Sequence, residues 1–477
     1  MNKKGLSAWH LMMMALGTVI GGSFFLGSSV AIKAAGPSIL IAFILGGVLV
    51  YFILFALSEM TVANPDTGSF RTFAAQAFGR GTGFVMGWVY WTGMVLAMSS
   101  EATAVSILVR EWIPNISLPL LGSLIIIGVT LLNLLGADKL SNLESGLAAV
   151  KLFAIFAFIM LAVLLIAGIL TRGNAVGTRI LTGEPFLPGG IRGIAGSMLI
   201  VMFTYAGFEI LGLAASEADH PKDTIPKAIR YTVFTLVAFY IVAIAVLLLL
   251  IPIADMREDT SPFVAALNRS GIGWAGTAMN LVLITAILST MLAAMFGLGR
   301  MMRSLADEGL APSWLKDKKD VPYRGIISSG LAMLACIGIG LLVPRVYLFL
   351  ISSGGFAILL TYAVIMATHI QFRRKHGCPP DGKCQLWGYP YTSIVVFAVL
   401  IGAIISMPFI SGQTSGLIAG SILVVFYIIC YAVIKTLAAR RVHSADRRGL
   451  KGFQSRLSAE TSDELSQIKD KKKNKHD

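Results

Sequence analysis

Twelve runs of roughly twenty apolar residues divide this chain, at approximately 10–32, 38–61, 84–109, 118–136, 147–170, 193–215, 230–253, 276–299, 325–344, 346–370, 391–411 and 415–438. A helix of that length crosses the hydrocarbon of a bilayer with its interior backbone groups paired within itself. The runs are continuously apolar rather than alternating, so they read as helices and not as strands of a membrane barrel. With 56% apolar and 13% charged residues, a chain of 477 residues has too little polar surface for a soluble domain. The lead Met1 to His10 is short and the first run is too long for a cleaved signal. The expectation is an all-α integral membrane protein with 12 transmembrane helices.

Two runs are interrupted. The first contains Gly17-Thr18-Val19-Ile20-Gly21-Gly22-Ser23-Phe24-Phe25-Leu26-Gly27, and the sixth contains Phe203-Thr204-Tyr205-Ala206-Gly207-Phe208-Glu209-Ile210-Leu211-Gly212. Glycine weakens a helix interior by about 1 kcal/mol relative to alanine. Unpaired backbone at membrane depth is tolerated only against protein or a watery cavity, so each break predicts a hollow beside it. Broken spans in corresponding halves point to a transporter built from inverted repeats. The two lie five spans apart, and an odd number of spans per repeat makes the second repeat enter from the opposite side. The repeats would cover about 10–170 and 193–370, with helices 11 and 12 (about 391–438) appended, in one domain over 1–440.

The N-terminus of a half-helix favours an anion. The amides of Gly21, Gly22 and Ser23, with Ile20 before them, are therefore candidates to hold the carboxylate of an amino acid. Carbonyls freed at Tyr205, Ala206 and Gly207 are candidates for its ammonium. Met94, Met98, Met295 and Phe208 are candidates for an apolar wall. Three charged residues stand four or more residues inside a span: Glu101, Lys151 and Glu209. A charge at mid-bilayer costs about 2.5–3.5 kcal/mol, so such groups face a cavity or a partner. Glu209 is read as a carboxyl that takes up and releases a proton, and Glu101 as a structural carboxyl or a second proton site. Lys151 either snorkels to the interface or meets a partner at depth.

The net charge of +14 invites a nucleic-acid reading, but its distribution argues for topology instead. With the N-terminus inside, 30 of the 39 lysines and arginines fall on the inner side. Eight fall outside (Lys33, Arg110, Arg172, Arg179, Arg192, Arg257, Arg269 and Arg345), and Lys151 remains in its span. Arg172, Arg179 and Arg192 run against the rule locally. Both termini are expected in the cytoplasm of a multi-pass protein of the cell (inner or plasma) membrane, with no nucleic-acid partner. Residues 441–477 form a charged tail expected to be disordered. Cys336 and Cys430 read as packing residues, and Cys378 and Cys384 as a free-thiol loop. The six histidines form no metal-ligand motif, and no enzyme chemistry, metal or cofactor is implied.

Over roughly residues 8 to 440 the chain resembles the amino acid transporters of the amino acid–polyamine–organocation superfamily. Ile20-Gly21-Gly22-Ser23-Phe24-Phe25-Leu26-Gly27 resembles the family's I-G-T-G-x-F-L-G. Gly207-Phe208-Glu209, Gly212, Ala214-Ala215-Ser216-Glu217-Ala218, Pro221 and Ile225-Pro226 resemble its second signature. Gly87-Trp88-Val89-Tyr90-Trp91, Lys151, Arg300-Met301, Gly309-Leu310-Ala311-Pro312 and His369 through Arg374 also match. The chain departs at Gly22-Ser23 (family T-G), Thr361-Tyr362 (Asn-Trp) and Gly146 (Trp). The resemblance implies a LeuT-like fold with discontinuous helices 1 and 6. It implies an aromatic gate near Phe208 and Tyr205, and Lys151 standing where sodium-driven relatives bind their ion, with its ammonium on carbonyls of the first break near Gly17 and Ile20. The expected function is import of an L-amino acid, neutral rather than cationic, in symport with a proton by alternating access, with the proton gradient as the only driving force. The alternatives are an amino acid or amine exchanger and a membrane amino acid sensor. Oligomeric state is not legible.

Overall fold

The computed structural model describes residues 7–437 except 64–68, 171–182, 210, 212–217, 219, 258, 318–320, 341–344, 379–383 and 411. Its regular elements are helices: α1 Ala8–Val19, α2 Gly22–Phe25, α3 Gly27–Ala35, α4 Ile39–Ala63, α5 Ser69–Phe78, α6 Arg80–Val109, α7 Leu118–Asn133 and α8 Ala137–Ile166 in the first half. The second half holds α9 Gly190–Thr204, α10 Pro221–Leu250, α11 Pro262–Arg269, α12 Gly273–Asp307, α13 Tyr323–Gly340, α14 Val346–His376, α15 Tyr391–Ser406 and α16 Thr414–Leu437. Each apolar run contains helix among the described residues. Among the described residues, nine helical stretches are long and apolar enough to cross a membrane. Ala8–Val19, Leu118–Asn133 and Gly190–Thr204 are shorter. The first and third of these are the interrupted runs, cut short where glycine lets the backbone leave the helix.

The centre is made by α6 and α14, buried over 78% and 83% of their most apolar stretches, against 28% for Tyr391–Phe409. They approach closely because of glycine. A Cβ on Gly93 would lie 2.5 Å from that of Ala357, and one on Gly354 would lie 3.1 Å from the Gly93 carbonyl. Peripheral helices turn large apolar side chains outward, such as Leu124, Phe153 and Phe234. At one end Glu59 of α4 gathers the chain after α14. It accepts from the amides of Gln385 (2.6 Å) and Leu386 (2.7 Å), and meets Arg373 Nε at 3.1 Å and His369 Nε2 at 2.7 Å.

That fold-back corrects one expectation. Cys378 and Cys384 are joined rather than free, with Cα atoms 5.0 Å apart, and Arg373 Nη1 meets both sulfurs at 2.6 Å. By its contacts the chain divides into Met1–Val424 and Val425–Asp477. The described part of the second unit is helix to Leu437, and the tail expected over 441–477 lies outside the described residues.

Candidate substrate site

The first break lies at Ile20 and Gly21. Both are extended, with ψ of 103° at Ile20 and −163° at Gly21, and α2 restarts at Gly22. A break strands carbonyls on one side and amides on the other. Lys151, wholly buried, covers the carbonyls: its Nζ donates to Gly17 O (2.6 Å), Ile20 O (3.1 Å) and Thr290 Oγ1 (3.1 Å). Thr290 in turn donates to Ile20 O at 2.9 Å. The snorkelling alternative does not fit a lysine with no exposed surface.

The amides are covered by an anion from the chain itself. Glu101 of α6 accepts from Gly22 N at 2.7 Å and from Ser23 N at 3.3 Å. The groups expected to receive a substrate carboxylate thus hold a protein carboxylate. The fit requires glycine: a Cβ on Gly22 would lie 2.6 Å from Glu101 Oε2, and one on Gly21 would lie 3.1 Å from Oε1.

The second break follows Thr204. Tyr205 to Glu209 form turns, with Gly207 at φ 103°, where a side chain is strained. Thr18 Oγ1 donates to Gly207 O at 3.3 Å, tying the two breaks together. Glu209 is almost fully buried. It accepts from Gly207 N (3.0 Å), Tyr90 OH (2.8 Å) and Tyr362 OH (3.2 Å). It therefore joins the sixth run to α6 and α14, and one of its partners is Tyr362, a position where the sequence departs from the family pattern.

A cavity of about 120 Å³ lies between the breaks. Of the residues singled out from sequence, Ser23, Ala206, Gly207, Glu101 and Glu209 line it. Ile20, Gly21, Gly22 and Lys151 stand immediately behind, through the bonds just given. Tyr205 and Phe208 do not line it. Tyr205 OH donates to Phe43 O at 2.9 Å, and Phe208 stacks on Tyr362 with ring centroids 4.8 Å apart. The aromatic of this segment that does line the cavity is Phe203, next to the end of α9. Met94 and Met98 belong to the apolar lining, whereas Met295 does not. Thr290, Tyr90 and Arg300 also line the cavity. Tyr90 and Arg300 stood in the sequence only as motif matches without a site role, and Thr290 only as a threonine within an apolar run.

The cavity continues along α12 to Met301 and Ser304. There Arg71 of α5, fully buried, donates to Ser304 Oγ (2.9 Å) and pairs with Glu308, Nη1 to Oε2 at 2.7 Å. Arg71 holds the Glu308 carboxyl below its ordinary value. Next to Ser23, Phe24 stacks on Tyr240 at 4.2 Å and packs against Phe263 of α11. Among the described residues no cluster of His, Cys, Asp and Glu has the makings of a metal site.

Residues 10–446 match the family model described as amino acid permease. The γ-aminobutyric acid permease of Bacillus subtilis (strain 168) is 31% identical, over 91% of this chain and 94% of its own length. The γ-aminobutyric acid permease of Escherichia coli (strain K12) is 33% identical over 88% and 92%. The aromatic amino acid transport protein AroP of the same strain is 34% identical over 78% and 82%. Among solved structures, a point mutant of the manganese transporter of Eremococcus coleocola shares the fold at TM-score 0.54 and 14% identity, over 90% of this chain and 94% of that one.

Proposed function

This chain belongs to the amino acid permease family, and on that premise we propose that it imports a neutral L-amino acid together with a proton, by alternating access. It is a multi-pass membrane protein, and its relatives are permeases, not enzymes. The observation that carries the coupling is Glu101 on the amides of Gly22 and Ser23. A substrate carboxylate seeking those amides meets an anion already seated, and two carboxylates do not share one site unless a proton joins them. Glu101 yields by taking up a proton, so loading the amino acid loads one proton with it. Lys151 and Thr290 keep the broken span in place while the anions exchange. Glu209 is the second carboxyl within reach, and its two tyrosine donors would hold it through the cycle.

The α-ammonium faces carbonyls of the two breaks, around Val19 and Ala206. The side chain lies against Met94, Met98, Phe203 and Ile358, an apolar wall, and Arg300 opposes a cationic one. The relatives' names, for γ-aminobutyric acid and for aromatic amino acids, also describe zwitterions with uncharged bodies. In this reading spans 1–5 and 6–10 are inverted repeats, and the path toward Ser304 leads to the cytoplasm, where the lysine and arginine excess lies.

The test is uptake of labelled phenylalanine, leucine and γ-aminobutyric acid into proteoliposomes. Uptake of at least one should accelerate several-fold under an inward proton gradient, with no substrate inside. A requirement for internal substrate would make the protein an exchanger, and binding without uptake would make it a sensor.

A further inference from the structure

A second cavity, of about 360 Å³, lies among the ends of α3, α9 and α14 that face away from Glu308, beside the turn after α15. Three of the eight cations counted on that side converge on it: Lys33 from the last turn of α3, Arg192 from the first turn of α9, and Arg345 at the N-terminus of α14. No acid is among the described residues that line it. Arg257 and Arg269, on the same side, do not line the cavity. Arg345 also takes a left-handed conformation, φ 64°, rare for a residue with a side chain and a kind of strain that collects at binding sites.

Gln413 supplies an independent observation. It lines the same cavity and is 2% exposed. Its Nε2 donates to Gly196 O at 2.9 Å, which fixes the amide, and its Oε1 has no hydrogen-bond partner. A buried acceptor left open in a cationic hollow calls for a ligand that carries a donor as well as negative charge. The lip is apolar: Phe409 lines the cavity and is 79% exposed.

We propose that this cavity seats the headgroup of an anionic phospholipid bearing a hydroxyl. Lys33, Arg192 and Arg345 hold the phosphodiester, a headgroup hydroxyl donates to Gln413 Oε1, and an acyl chain leaves past Phe409. A zwitterionic amino acid fits poorly, because its ammonium would lie among three cations. A free phosphate ester has the right charge but makes no use of the apolar lip. Binding here bears on the central site through α9. Ile200 lines this cavity and packs toward Gly27, whereas Phe203, one turn on, lines the other. A seated lipid would brace α3 against α9. The binding itself does not rest on the transport reading.

The test is native mass spectrometry of the full chain from nanodiscs of phosphatidylcholine doped with phosphatidylglycerol or phosphatidic acid. Phosphatidylglycerol should remain bound to the native chain, and retention should fall more than about tenfold in the triple variant K33Q/R192Q/R345Q, each charge near an anionic lipid being worth about a factor of five. Single substitutions should show graded losses, which covers a triple variant that fails to fold. Gln413→Leu should erase the preference for phosphatidylglycerol over phosphatidic acid, which lacks the hydroxyl. R257Q/R269Q, on the same side, should retain the lipid. Equal retention by the triple variant and R257Q/R269Q would overturn the proposal. So would saturation of the site by glycerol 3-phosphate in pure phosphatidylcholine, or displacement of the lipid by the transported amino acid.

Discussion

Glu101 and Lys151 divide the first break between them, the anion on the amides and the cation on the carbonyls. That division makes their substitutions separable. Glu101→Gln keeps the shape and one acceptor oxygen but carries no exchangeable proton. Binding of substrate, followed by thermal shift, should persist, while the acceleration of uptake by an inward proton gradient should vanish. Persistence of that acceleration would move the coupling to Glu209. Lys151→Met leaves Gly17 O and Ile20 O without their cationic donor. An unsatisfied buried acceptor costs about 1–3 kcal/mol, so the midpoint of thermal unfolding in detergent should fall and uptake should drop to background. Lys151→Arg should rescue little, since a planar fork does not fit carbonyls that converge on a point charge.

Among the elements, the breaks were legible in the sequence and their partners were not all so. Glycine at Gly21, Gly22 and Gly207 marks where a helix can open, whatever packs around it. Lys151 was traceable to Gly17 and Ile20 through the family resemblance, which sets a lysine of the fifth span on the first break. Glu101 on Gly22 was not traceable, because the contact depends on how α6 is rotated against α2, which no periodicity records. The same holds for Phe208, whose direction depends on the φ of Gly207, and for Tyr205, whose ring direction depends on how α9 is rotated against α4. The α5–α12 contact at the mouth of the cavity was also hidden, since Arg71 reads as an ordinary loop cation. Its pH dependence has a definite sign. Glu308 has a depressed value in the folded protein, so the contact is complete above the ordinary carboxylate range and is lost as pH falls through the lowered value. A cysteine at Met301, on the cavity wall, should therefore label slowly with an impermeant thiol reagent from that side at about pH 5 to 8, and faster only in stronger acid. With Glu308→Gln, labelling should be fast throughout.

At the scale of the whole molecule, coupling must draw on an energy source that reaches the buried site. A neutral zwitterion accompanied by one proton carries one positive charge across the membrane. Moving that charge down 100 mV releases about 2.3 kcal/mol, enough for a roughly 50-fold gradient of substrate, because about 1.4 kcal/mol is tenfold. The geometry bears on whether this energy can be used. Glu101 lies between the amides of α2 and the cavity, so an incoming carboxylate and the proton that displaces Glu101 arrive at one place. On the proposed reading the carboxylate is seated on those amides only once Glu101 has taken up a proton. A potassium diffusion potential, negative inside and imposed with valinomycin at equal pH, should therefore drive accumulation of the amino acid above its external concentration. With the potential reversed, accumulation should cease. An obligate exchanger of neutral substrates moves no net charge, and its uptake would ignore the potential in both directions. That result would leave Glu101 as a structural occupant of the break and return the amides of Gly22 and Ser23 to a purely architectural role.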